Sequence, residues 1–172
     1  MKKNYLQILI IIMCSFVSTA QSVDVKSAFL EKWENSKNYL MAIAEVMPEK
    51  DYDFKPTERQ RSFKEQLVHI KENITWLSTS YFTTKEYSRD TSPFPETKAE
   101  TIKLINDAFK ESSEIIKNTP NEELASIVDF FAGPKSKLQI LNLLQDHVTH
   151  HRGQLIVYLN LKNMIPPKYV GW

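Results

Sequence analysis

Histidine is the residue type whose placement points to chemistry. The chain carries four, at 69, 147, 150 and 151, and three of them fall within one short stretch. His147 and His151 are spaced i,i+4, so a helix through them sets both imidazoles on one face about one turn apart, the arrangement that offers two nitrogen ligands to a divalent metal. His147 with His150, at i,i+3, is a competing pair that spacing leaves open. His69 lies far upstream and could supply a third ligand. Three histidines with one or more open positions form the pattern of a catalytic metal, at which bound water becomes acidic enough to act as nucleophile or base. The plainer reading is a set of hydrogen-bonded histidines, with His150-His151-Arg152 as a solvated face.

Residues around these histidines extend the candidate site. Gln66, Asn73 and Trp76 share a helical flank with His69 and are candidates to line a pocket. Arg152, Gln154 and His150 are candidates to orient a ligand, with a cross-bundle salt bridge as the alternative for the polar pair. Gly153 costs roughly 1 kcal/mol relative to Ala inside a helix, which reads as close helix packing or as part of the site. Trp33, Tyr81 and Trp172 read as core or rim aromatics. No carboxylate can be placed as a general base by spacing alone, so a catalytic residue is unassigned.

Several other chemistries are excluded. Glycine occurs only at 133, 153 and 171, so neither a G-x-G-x-x-G nor a G-x-x-x-x-G-K-[ST] phosphate loop can be written. Lys+Arg number 22 against 21 Asp+Glu, for a formal charge of +1, and no basic stripe marks a nucleic-acid partner. The only cysteine is Cys14. It lies in an N-terminal segment, residues 1–20, that reads as a secretory signal: Lys2 and Lys3, the apolar run Ile8 to Val17, then Ser18-Thr19-Ala20. The run is short for a membrane span of about 20 apolar residues. Cleavage after Ala20 would leave a single domain, 21–172, periplasmic or secreted, with no membrane span. It removes two lysines and no acid, so the charge becomes −1. The mature chain would then have no thiol, and any metal must be held by histidines and carboxylates.

Four helices must position these residues. From Val25, Phe29, Trp33, Leu40, Ile43 and Met47 follow a helical stripe, with Ser36 in the gap, that stops at Pro48. Ser62-Phe63-Lys64-Glu65 is a capping box that opens a second stripe of Phe63, Leu67, Ile70, Ile74, Leu77 and Tyr81. Thr97-Lys98-Ala99-Glu100 opens a third, through Ile102, Ile105, Phe109 and Ile116, which ends before Pro120. Ser136-Lys137-Leu138-Gln139 opens the last, carrying Leu138, Leu141, Leu144, Val148, Leu155 and Leu159, and Pro166-Pro167 ends it. Ile127 to Phe131 reads as a connection rather than a strand. The fold class is all-α, a four-helix bundle with long connections, because each stripe can be buried only against the others.

With the elements in place, a resemblance is visible. His147-Val148-Thr149-His150-His151-Arg152-Gly153-Gln154-Leu155, followed by Tyr158-Leu159 and Ile165-Pro166-Pro167, resembles the carboxy-terminal signature of the DinB-like superfamily. Upstream, Met47-Pro48-Glu49-Lys50, Phe54-Lys55-Pro56 and the run from Ser62 to Ile70 resemble the segment that carries the family's first histidine. Characterised relatives include bacillithiol S-transferases and mycothiol-dependent maleylpyruvate isomerases. The resemblance implies a four-helix bundle holding a divalent ion, zinc or nickel, on three histidines at one end. Carried over by position these are His69, His147 and His151, with His150 a neighbour. It also implies a small-molecule substrate, such as a low-molecular-weight thiol.

The functional expectation is a divalent-metal-dependent enzyme, transferase or hydrolase, in which the ion lowers the pKa of water or of a thiol that attacks an electrophile. The alternative is a non-catalytic exported bundle that holds a metal or an apolar ligand. A third is a bundle used only for association, and a homodimer is compatible with so apolar a last helix.

Overall fold

The computed structural model describes residues 24–171; the expected leader with Cys14, and Trp172, lie outside them. Four long helices follow in order, α1 (Val25–Val46), α2 (Phe63–Phe82), α3 (Lys98–Asn118) and α4 (Lys137–Leu161). All three expected capping boxes form: the side chains of Ser62, Thr97 and Ser136 each accept from the backbone N–H three residues on, and Glu65, Glu100 and Gln139 reach back. Each box satisfies two helix-end donors that have no partner within the helix. Asp24 caps α1 by accepting from the N–H groups of Lys26 and Ser27.

Burial follows the stripes. Trp33, Leu40, Ile43 and Met47 of the first, Phe63, Leu67, Ile70, Ile74 and Leu77 of the second, Ile105, Phe109 and Ile116 of the third, and Leu141, Leu144, Val148, Leu155 and Leu159 of the fourth form one core. Trp33 is fully buried 4.5 Å from the Phe109 ring. Its indole N–H donates to Ser112 Oγ at 3.0 Å, so the one polar atom this large side chain takes into the core is satisfied.

The contacts define the topology. α1 and α2 are each flanked by α3 and α4. Lys26, at the start of α1, donates to the carbonyls of Lys117 and Thr119 at the end of α3, and Lys98, at the start of α3, donates to those of Glu45 and Met47 at the end of α1. These two helices are therefore antiparallel, each capped by the other's lysine. α2 and α4 are also antiparallel, since Gln66 meets Gln154 and Tyr158 while His69 meets His147. α2 and α3 run side by side in the same direction, and parallel neighbours need a connection that returns the full helix length. A 20-residue helix spans about 30 Å. Residues 83–97 make that return along α2: Asp90 pairs with Lys71, and Phe94 lies under the Lys64 ammonium.

The connection between α1 and α2 fixes where α2 begins. Tyr52 is buried and its hydroxyl donates to the Ala44 carbonyl at 2.8 Å. The carbonyls of Phe54 and Tyr52 then accept from the N–H groups of Phe63 and Lys64. The site histidine of α2 stands less than two turns beyond this anchored start.

Two features differ from the sequence reading. Residues 127–131, expected as a plain connection, begin with a two-residue strand, β1 (Ile127–Val128), paired antiparallel with β2 (Lys135–Ser136). Gly133, at φ 88°, closes the turn and donates to Phe130 O at 2.8 Å. Lys135-Ser136 carries no strand signature, so the pairing was not legible from one partner. Gly153 does not mediate close packing, because a Cβ built there meets nothing within 4 Å. Gly153→Ala is therefore expected to stabilise the protein by about 0.5–1 kcal/mol, and Gly133→Ala to destabilise it by about 1–2 kcal/mol. Urea unfolding curves on the two variants would check both signs.

Candidate metal centre

The antiparallel seam between α2 and α4 brings His69, His147 and His151 together. Their candidate ligand atoms all lie within 4.8 Å of one another. The three rings form a nearly equilateral triangle, with the His69 centroid 4.9 Å from His147 and 4.7 Å from His151 and those two 4.4 Å apart, and His69 Nε2 is 3.2 Å from His147 Nε2. A tetrahedral ion with bonds of about 2.0–2.1 Å spaces two nitrogen ligands about 3.3 Å apart, so this separation fits two donors on one metal. His151 is buried, while His69 and His147 are partly exposed. The cluster thus has one side open to solvent. The i,i+4 pair left open by spacing is the one that converges, and His150 points elsewhere.

Hydrogen bonding assigns the proton on His151. The Tyr158 hydroxyl donates to the Arg61 carbonyl at 2.8 Å. A carbonyl can only accept, so the Tyr158 oxygen is left to accept from Gln66 Nε2 at 3.3 Å. The other Gln66 N–H donates to Gln154 Oε1 at 2.6 Å. Gln66 Oε1 therefore faces His151 Nδ1, 2.7 Å away, and that nitrogen must carry the proton. The His151 Nε2 lone pair is free for the cluster, the arrangement by which an outer hydrogen bond fixes a ligand's tautomer. Gln154 Nε2 in turn donates to His150 Nε2 at 2.9 Å, which occupies that nitrogen and holds His150 aside.

The electrostatics agree with a ligand set. Burial, then the neighbouring imidazoles and the Arg61 guanidinium, hold His147 down at about 3. The same causes hold His151 at about 4, and burial followed by Arg61 lowers His69. All three are neutral at pH 7, with lone pairs available. Nitrogen donors from three neutral imidazoles suit zinc, nickel or a similar divalent ion. His147 Nδ1 is buried with no partner. His69, His147 and His151 are the residues that could hold the ion.

The other expected site residues separate into groups. Gln66, expected to line a pocket, is itself buried and holds His151. Gln154 and His150 belong to the same hydrogen-bonded chain. Arg152 turns to α1 instead, with its guanidinium 5.0 Å from the Tyr39 ring centroid and 3.5 Å from Ser36 Oγ. Trp76 stands two turns beyond His69 on the same face and stacks on Phe130 and Phe131, the latter 82% exposed. Tyr158 and Arg61 were missed. Tyr158 follows His151 by seven residues, which puts it on the same helical face, whereas Arg61 lies before α2 and meets the site through its backbone carbonyl and through the charge of its side chain, neither of which spacing reveals.

The depressed histidines make stability pH-dependent. An unfolded imidazole titrates near 6.5, so between that value and the lower folded ones the unfolded chain binds more protons than the native chain. The stability of the metal-free protein is complete above about pH 6.5 and falls as pH drops below it, through about 4 for His151 and on to about 3 for His147. Urea unfolding at pH 7 and pH 5.5 should show this loss, and a His147→Gln, His151→Gln double variant should reduce it.

Comparisons with known proteins agree with the fold. Residues 13–167 match the model of the DinB family. The uncharacterised protein YjoA of Bacillus subtilis is 27% identical over 146 residues, covering 81% of this chain and 89% of its own. In structure, the DinB-like YjoA superposes with a TM-score of 0.68 at 18% identity, over 83% of this chain and 96% of that one. A DinB-like protein from Bacillus cereus superposes with a TM-score of 0.72 at 19% identity, over 84% and 97%. The match spans the four helices and all three clustered histidines, and the chain belongs to the DinB family.

Proposed function

We propose that this protein is a divalent-metal-dependent enzyme acting on a small molecule, by thiol transfer or by hydrolysis. The observation that carries the reading is the convergence of three neutral imidazoles, from two helices, at a place open to solvent on one side. Three protein ligands leave room for a reactant. A divalent ion there would supply Lewis acidity and lower the pKa of a coordinated water or thiol. The chain's own residues do the rest. Gln66 keeps the His151 proton on Nδ1, and the Tyr158–Arg61 bond keeps the Gln66 amide from turning over. The Arg61 charge adds to burial in depressing all three imidazoles and favours an anionic reactant beside them.

Trp76 and the exposed Phe131 offer apolar surface along the same face of α2, which suits an organic electrophile. Zinc and nickel are the ions we favour. Among the described residues no helix is long and apolar enough to cross a membrane. In this reading residues 1–20 direct the chain out of the cytoplasm, to the periplasm or beyond. There hydrolysis does not depend on a cytosolic thiol.

Tag-free protein purified without chelator is expected to carry close to one zinc, nickel or similar ion per chain by plasma mass spectrometry. His147→Ala should lose it. The loaded enzyme, and not the chelator-treated one, should then turn over either an electrophile with a low-molecular-weight thiol or a hydrolysable ester or amide. A well-folded protein that stays metal-free after incubation with divalent ions would overturn the proposal.

A further inference from the structure

Among the described residues, three buried side-chain atoms have no hydrogen-bond partner: His147 Nδ1, Asn73 Oδ1 and Gln145 Oε1. An orphaned buried polar atom costs about 1–3 kcal/mol, so a native site that keeps one has a use for it. The first is a nitrogen of a clustered histidine. If His147 is to give Nε2 to a metal, its proton must sit on Nδ1, and a buried N–H needs an acceptor.

Two carbonyl oxygens are unengaged, and the geometry chooses between them. Gln145 donates through Nε2 to Ser36 Oγ on α1 at 2.8 Å and to Thr149 Oγ1 at 3.3 Å, which holds its amide on the α1 side of α4. His147 faces α2. Asn73 lies on α2, one turn beyond His69, on the face that meets α4. Because His69 is about equally far from His147 and His151 and the helices are antiparallel, the next turn of α2 falls level with His147 and the turn before it. Side chains lean toward the N-terminus of their own helix, so in an antiparallel pair Asn73 and His147 lean toward each other.

We infer that Asn73 is the positioning residue for His147: its side-chain carbonyl accepts the Nδ1–H of His147 and so commits Nε2 to the metal. Closing the pair takes a rotation of the Asn73 amide or one bridging water. α2 then treats both α4 ligands alike, with Gln66 one turn before His69 serving His151 and Asn73 one turn after it serving His147. This inference rests on the metal-binding reading and adds a role for a residue that touches neither metal nor substrate.

The test compares zinc affinity, by competition with a chromogenic chelator, in wild type, Asn73→Leu and Asn73→Asp. Asn73→Leu removes the acceptor at similar size and should weaken zinc about 10- to 100-fold. Asn73→Asp can only accept, so it should bind at least as tightly as wild type. Were Asn73 instead a donor to His147, Asp would bind as poorly as Leu. Long-range proton–nitrogen spectra of the zinc-free proteins read the tautomer directly. His147 should carry its proton on Nδ1 in wild type and shift toward Nε2 in Asn73→Leu, a change that loss of packing alone would not produce. Should Asn73→Leu fail to fold, the wild-type tautomer and the Asp variant decide. Asn73→Leu binding within twofold of wild type, Asn73→Asp binding as weakly as Leu, or an Nε2–H tautomer in wild type would each overturn this inference and leave the metal centre standing. A wild type that binds no zinc would remove both.

Discussion

Three imidazoles in one helix seam repel one another as soon as two are protonated, and burial makes each charge costlier still. The seam between α2 and α4 tolerates the cluster because its members are neutral, and much of the local structure keeps them so. The group hydrogen-bonded to His151 Nδ1 is the Gln66 amide, itself held by the Tyr158 hydroxyl, rather than a carboxylate, and the fixed charge that acts on His151, Arg61, is positive and adds to burial in pushing protons off. The result is a set of lone pairs already directed at one place. A divalent cation would bind nitrogens that are already neutral and gathered within 4.8 Å of one another.

That seam exists only because the bundle has its particular topology. α2 must lie antiparallel to α4 for Gln66 to face His151 while His69 faces His147, and it must begin where it does for the turns to be level. The start is held by Tyr52 on Ala44 and by the Phe54 and Tyr52 carbonyls on the first N–H groups of α2. The direction is held by the return of residues 83–97 along α2. Apolar packing of the four stripes supplies the driving force, and the capping and connection contacts set the register at which the histidines meet.

How much of this was legible depended on whether a feature is local. The helix starts were readable because a capping box is a four-residue event, as at Ser62, Thr97 and Ser136. The metal-site candidates were readable because i,i+4 spacing survives in any helix, while the choice of His151 over His150 needed family resemblance or the structure. The parallel placement of α2 and α3 depends on a fifteen-residue return with no local signature, counting positions 83–97. Gln66 was found by its position beside His69 but misjudged in role, because what decides it is the Tyr158–Arg61 bond across two elements. For Gly153, close packing stood as one of two readings because sequence shows the residue and not the empty space outside it.

The central claim is that one divalent ion is held by three imidazoles. X-ray absorption at the zinc edge on protein reconstituted with one equivalent of zinc tests it most directly. The account predicts three imidazole nitrogens at about 2.0–2.1 Å, with their characteristic ring scattering, and at least one further light-atom ligand. A shell made only of oxygens, or one with fewer than two imidazoles, would contradict it.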